Sequence, residues 1–218
     1  MSMSRMEKIV CSECGKESEF RVWESINTVL DPELKEKVRN RDVFTFICPH
    51  CGEITMVNYA CLYHQMEDKI MIYYVPGDIE EAVLMMQGKY RNDMGEVLDL
   101  SFNDLLAEGY VNRVVHTMNE FVEKLAILDA GLDDRFIEIM KVLMIFYLMD
   151  KDEEFSCEEF LFDNTGEALQ FVISFEDGEW ATTNFSKDLY EHIVEEFNKN
   201  VEDDEVVINR QWALSKIE

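Results

Sequence analysis

At 218 residues, with 47% hydrophobic content, 9 glycines and 3 prolines, the chain holds enough apolar material for one large domain or two small ones, which excludes disorder and collagen-like structure. Its 20 Lys and Arg against 46 Asp and Glu leave a net charge of −26, and the longest unbroken apolar run, VLMIFYLM at 142–149, falls far short of the ~20 residues a bilayer span requires. A globular chain that does not enter a membrane is expected.

The opening MSMSRMEKIV has no apolar stretch of signal-peptide length, so a reducing cytoplasm is the expected compartment. FRVWESI alternates from Phe20 to Ile26, with Phe20, Val22, Glu24 and Ile26 on one face and Arg21, Trp23 and Ser25 on the other, which reads as a strand of a small antiparallel sheet. Asp31-Pro32-Glu33 opens a short helix, LKEKVRN. Strand patterns resume at VFTFI, EITMVNYA and KIMIYYV, and Pro76-Gly77 closes this first part.

Helical spacing follows. Asp78 with Glu81 and Ser101 with Asp104 are capping-box pairs ahead of IEEAVLMMQGKY and LLAEGY. A longer helix is predicted from about 112 to 130, striped by Val114, Met118, Phe121, Leu125 and Leu128, with Gly131 at a left-handed C-cap. The helix predicted over 133–149 is apolar on nearly every side, so it should be the most buried element, and its interior Lys141 must reach solvent or a carboxylate. The last third switches back: FSCEEFLF, EALQFVISF and EWATTNF, separated by Asn164-Thr165-Gly166 and Asp177-Gly178, predict a meander. Ser186 caps a helix faced by Leu189, Ile193 and Phe197, and a short strand is expected near Val206–Asn209.

The expected organisation is therefore α+β: residues 1–77 as a sheet domain, 78–154 as a helical region, and 155–218 as a β-meander plus helix packed with that region or separate from it. Charge follows the same division. Residues 1–77 carry 9 basic and 12 acidic side chains, whereas 78–218 carry 11 and 34. Nucleic-acid affinity comes largely from basic side chains that displace counterions, so binding by 78–218 is disfavoured. The acidic surface serves solubility or docks a basic partner.

Four of the six cysteines form two matched pairs, Cys11-Ser12-Glu13-Cys14-Gly15 and Cys48-Pro49-His50-Cys51-Gly52. Two residues between thiolates let both sulfurs reach one ion from a tight turn, and the following glycine supplies the positive φ that turn needs. Soft thiolates with tetrahedral closure select Zn²⁺. Four protein ligands leave no open position, so Cys11, Cys14, Cys48 and Cys51 are expected to hold a structural ion that activates no water. A disulfide framework would need an oxidising compartment, and a redox C-x-x-C would need only one pair. Cys61 and Cys157 lack partners at ligand spacing and read as small buried apolar residues. His50 should be exposed, and His64 reads as an ordinary turn histidine that could otherwise substitute as a ligand.

No G-x-S-x-G, G-x-x-x-x-G-K-[ST] or G-x-G-x-x-G occurs, and acid pairs such as Asp133-Asp134 read first as a helix N-terminus, so no catalytic residue is assigned. C-x-x-C-G near the N-terminus, the stretch from VWESINTVLDPELKEKVRNRD through FICPHCGEITMVNYACLYHQ to IMIYYVP, and the later EKLAILDAGLDDRFIEIMKVL resemble the bacterial and archaeal CpXC family across roughly residues 9–148. The resemblance implies a zinc-ribbon-like N-terminal module with the same four cysteines as metal ligands, and no activity. His64-Gln65 departs from the His-Asp usual in similar sequences.

Three functions are consistent with this reading. The first is a zinc-stabilised, non-catalytic protein whose acidic region contacts a protein partner or a second copy. The second is a nucleic-acid-linked regulator using the basic residues Arg21, Lys35, Lys37, Arg39 and Arg41. The third is an enzyme with a site between the ribbon and the helical region.

Overall fold

The computed structural model describes residues 2–99, 109–202 and 204–217. It is a mixed α+β structure in two compact units, Met1–Met118 and Asn119–Glu218. The helix expected at LLAEGY lies outside the described residues.

The first unit is built on a five-stranded sheet ordered β1-β2-β5-β6-β9, from β1 (Met3–Val10), β2 (Glu17–Asn27), β5 (Cys61–Gln65), β6 (Ile70–Tyr74) and β9 (Val111–Val115). The sheet is mixed, which corrects the antiparallel expectation. β1–β2 and β5–β6 are antiparallel hairpins, but β2–β5 and β6–β9 are parallel, because each of those connections crosses over before the chain returns. The first crossover carries helix α1 (Glu33–Arg39), a 3₁₀ turn at Asp42–Phe44, and a small antiparallel hairpin of β3 (Thr45–Ile47) and β4 (Ile54–Met56). The second carries α2 (Glu80–Met86) and the hairpin of β7 (Lys89–Arg91) and β8 (Val97–Asp99). Ile26, Val38, Phe44, Tyr63, Ile72 and Tyr74 are buried, so the apolar alternation of β2, β5 and β6 has one covered face. The sheet runs on past Gly77 through β9.

β9 also corrects the helix expected from residue 112. Val111, Val114 and Val115 are β-branched and pair in register with Ile70, Tyr73 and Tyr74. Helix α3 starts only at Met118 and runs to Asp129, and Gly131 beyond it has φ +69°, the left-handed conformation expected there.

In the second unit, helix α4 (Asp134–Lys151) is capped by Asp133, whose carboxylate accepts the Arg135 N–H at 3.0 Å. The meander β10 (Glu159–Asp163), β11 (Gln170–Ser174) and β12 (Trp180–Asn184) forms as expected. Phe160, Phe162, Phe171 and Ile173 project from it into a core shared with Phe136, Ile137, Ile139 and Met140 of α4. Ser186 caps α5 (Lys187–Phe197) by accepting the Leu189 N–H. Two expectations fail here. Residues 206–209 form no strand; instead Asn209 accepts the Trp212 N–H at 3.0 Å and starts α6 (Arg210–Ile217). The burial of α4 also stops short of its end, with Phe146, Tyr147 and Met149 exposed while Leu148 still packs on the core.

A buried ionic cluster joins α3 to α4. Lys124 lies 3.1 Å from Asp134 and 3.0 Å from Glu138, and Lys141 lies 2.8 Å from Glu123 and 3.0 Å from Glu138. Glu123 also accepts the Phe162 N–H at 2.7 Å, which fastens β10 to α3. The carboxylate expected for Lys141 is thus found, within a cluster of five buried ionisable groups.

Candidate metal centre

Each C-x-x-C sits at the tip of a hairpin. Cys11–Cys14 turns β1 into β2, and Cys48–Cys51 turns β3 into β4. The two turns have the same hydrogen bonds. In the first, Cys11 N–H donates to Lys16 C=O at 3.0 Å and Gly15 N–H to Cys11 C=O at 2.9 Å. In the second, Cys48 N–H donates to Glu53 C=O at 2.8 Å and Gly52 N–H to Cys48 C=O at 2.9 Å. Gly15 and Gly52 close the turns at φ +67° and +81°. Nothing lies within 4 Å of where a Cβ on Gly52 would stand, so Gly52→Ala strains only the backbone. It is expected to cost about 1–2 kcal/mol, read as a lower midpoint of chelator-induced metal release.

The hairpins meet over a small apolar seat in which Cys11, Phe46 and Cys48 are buried and Ile9, Cys14, Phe20 and Val57 are packed around them, with Phe20 edge-on to Phe46 at 6.0 Å. All four sulfurs lie within 4.8 Å of one another. Cys11 Sγ is 3.6 Å from Cys51 Sγ, and Cys14 Sγ is 3.7 Å from Cys48 Sγ. Both contacts join one hairpin to the other, and both are far longer than the ~2.05 Å of a disulfide. A tetrahedral ion with metal–sulfur bonds of ~2.3 Å would hold its sulfurs about 3.8 Å apart. The donor set and its spacing therefore fit a metal ion.

Electrostatics point the same way. Burial opposes ionisation of Cys48, but the backbone N–H groups of His50 and Cys51 and the thiols of Cys51 and Cys11 outweigh it and draw its pKa down to about 6. At Cys51 the Glu53 backbone favours the thiolate, while desolvation and the hydrogen bonds to Cys48, Cys11 and Cys14 prevail and push its pKa up to about 12. Four sulfurs this close cannot all carry charge unless a cation offsets the repulsion.

The remaining cysteines and histidines stand apart from this cluster. Cys61 is buried, and burial pushes its pKa up to about 12; Cys157 is half-buried against the core of the second unit. His50 is exposed. His64 is half-buried, its ring against Tyr110 with Nε2 3.2 Å from the hydroxyl, and burial lowers its pKa. It is not among the grouped donors. The basic residues around α1 are largely committed. Arg39 donates to Lys35 C=O, the Tyr63 hydroxyl and Gln65, and Lys35 lies within 4 Å of Glu67 and Asp68. Tyr63 and Gln65, buried partners of Arg39, were missed in the sequence because their strand carries no marker beyond alternation.

A family model described as CpXC protein matches residues 9–141, and the chain belongs to the CpXC family. The match takes in both cysteine pairs and all five members of the buried ionic cluster, Glu123, Lys124, Asp134, Glu138 and Lys141. No curated protein and no solved structure matches the chain. Among the described residues, no helix is long and apolar enough to cross a membrane.

Proposed function

We propose that Cys11, Cys14, Cys48 and Cys51 bind a single Zn²⁺ as a structural ion, and that the protein is a non-catalytic, metal-stabilised interaction protein of the cytoplasm. The observation that carries this reading is the convergence of four sulfurs from two hairpin tips at separations suited to a tetrahedral ion. Four sulfur donors select a soft or borderline metal over Mg²⁺ or Ca²⁺, and they fill the coordination sphere, so the ion fastens the β3–β4 hairpin to the β1–β2 hairpin and performs no reaction.

The interaction role rests on charge. The second unit carries 8 basic and 26 acidic side chains, a field that favours a basic protein surface as partner and disfavours nucleic acid. The nucleic-acid reading of the first unit is weakened by the commitment of Arg39 and Lys35 to their own chain. Elemental analysis of the purified chain tests the metal. About one zinc per chain supports the reading; a zinc-free, fully folded protein with reduced thiols refutes it.

A further inference from the structure

β1 is the end strand of the five-stranded sheet, eight residues long, and every residue but Ile9 is exposed. Natural edges of this length are usually shortened, bulged away or interrupted by proline, and β1 from Ser4 to Val10 is regular and proline-free. Its outward-facing groups follow from the register. At the turn, Cys11 N–H donates to Lys16 C=O and so points toward β2; backbone groups alternate along a strand, so those of Ile9, Glu7 and Arg5 also point toward β2 and those of their neighbours point away. Ser4 is the cross-strand partner of Trp23, Met6 of Arg21 and Lys8 of Glu19. In an antiparallel pair, residues opposite each other turn their backbone groups the same way relative to the ladder, so Ser4, Met6 and Lys8 present N–H and C=O to the free edge.

We infer that β1 pairs antiparallel with β1 of a second copy, centred on Met6, to join two sheets across a two-fold axis. This goes beyond the metal-site reading and does not depend on the metal's identity. The argument for a second copy, over any other strand, is self-complementarity. Centred on Met6, the register exchanges both hydrogen bonds between the two Met6 residues and pairs each Ser4 with the partner's Lys8. It also sets each Arg5 opposite the partner's Glu7, each Met3 opposite the partner's Ile9, and Met6 against Met6. Met3 and Met6, both 51% exposed, are covered by the pairing. A shift of the centre by one residue either way also keeps the hydrogen-bonding groups facing, but it sets Arg5 on Arg5 or Glu7 on Glu7. Charge therefore selects one register, as cross-strand pairs do in a sheet. Within its own chain Arg5 already bonds Glu7 at 2.6 Å and Glu24, so the pair is aligned on one face before association.

Sedimentation equilibrium of the full, metal-loaded chain across the micromolar range at physiological salt tests the inference. A reversible monomer–dimer equilibrium is expected. Arg5→Glu and Glu7→Arg each place like charges opposite across both halves of the axis and should weaken the dimer roughly tenfold, while the double reversal should bring it back to within about threefold of the native chain. A second readout needs no variant. Residue-resolved hydrogen exchange of the native chain should slow with concentration at the Ser4, Met6 and Lys8 amides and be unchanged at Arg5, Glu7 and Ile9, which already face β2. A chain monomeric throughout, or a dimer whose constant ignores both charge reversals and whose exchange changes elsewhere, overturns the inference.

Discussion

Cys48→Ser is expected to abolish tight zinc binding and to release the β1–β2 and β3–β4 hairpins while the rest of the first unit stays folded. Cys48 is buried on Phe46 against Cys11 and is 3.7 Å from Cys14, so a hydroxyl there loses a soft ligand and places a polar group in an apolar seat. Structural zinc contributes about 10–16 kcal/mol to small zinc modules, and one lost thiolate removes a large part of that. The loss should stay local, because Ile26, Val38, Tyr63, Ile72 and Tyr74 are buried at the other end of β2 and in α1, β5 and β6 without help from the four clustered cysteines. Hydrogen exchange by mass spectrometry should show faster exchange in peptides covering 3–24 and 45–56, and little change at 61–74. Uniform acceleration across the unit would mean that the ion holds the whole sheet; no change would mean that it holds nothing.

Lys141→Met is expected to destabilise the second unit by about 3–5 kcal/mol, since it strands Glu123 in the interior with its main positive partner gone. Adding Glu123→Gln should recover a good part of the loss, because the amide carries no charge and can still accept the Phe162 N–H. The measurement is exchange of the α4 amides in denaturant. Failure of the double variant to improve on the single one would show that packing, and not the unpaired charge, carries the cost.

The same cluster predicts a response to acid. Burial opposes charge on Glu138, but Lys124 and Lys141 outweigh it and hold its pKa below the usual carboxylate value. Its contribution is therefore present above the unfolded pKa and lost as pH falls through the folded one. Burial raises Glu123 in spite of Lys141, so its protonation as pH falls carries no such loss. Stability of the second unit should accordingly decline below about pH 4, and Glu138→Gln should flatten that decline at the expense of stability at neutral pH. An acid slope unchanged in Glu138→Gln would assign the effect to other carboxylates.

The cysteine knuckles, the meander and the 133–149 helix were legible because each is written in local spacing: two residues between thiols, alternation between turn signals, an apolar run behind an Asp cap. What escaped was non-local. β9 is buried at Asn112, Arg113, Val114 and Val115, so it shows no two-sided alternation, and Val114 happens to stand four residues before Met118 at helical spacing. The parallel pairing of Ser25–Asn27 with Leu62–His64 depends on a crossover whose return direction no local pattern encodes. At the C-terminal end, VVIN has strand propensity, but the side chain of Asn209 captures a helix N–H and the local competition goes to the helix. Lys141 could be assigned a carboxylate from its place on an apolar helix; that Lys124 would share Glu138 required the crossing of α3 and α4.

The central claim is that four cysteines from two hairpin tips grip one ion that holds them together. The most direct measurement is native mass spectrometry of the reduced full chain, before and after a strong chelator, paired with exchange of the Cys11–Gly15 and Cys48–Gly52 amides. The account predicts one bound zinc that leaves with the chelator, and slow exchange in both turns that is lost in the same step. A chain that carries no metal yet keeps both turns protected, or one whose metal persists when Cys11 and Cys14 are replaced by serine, would contradict it.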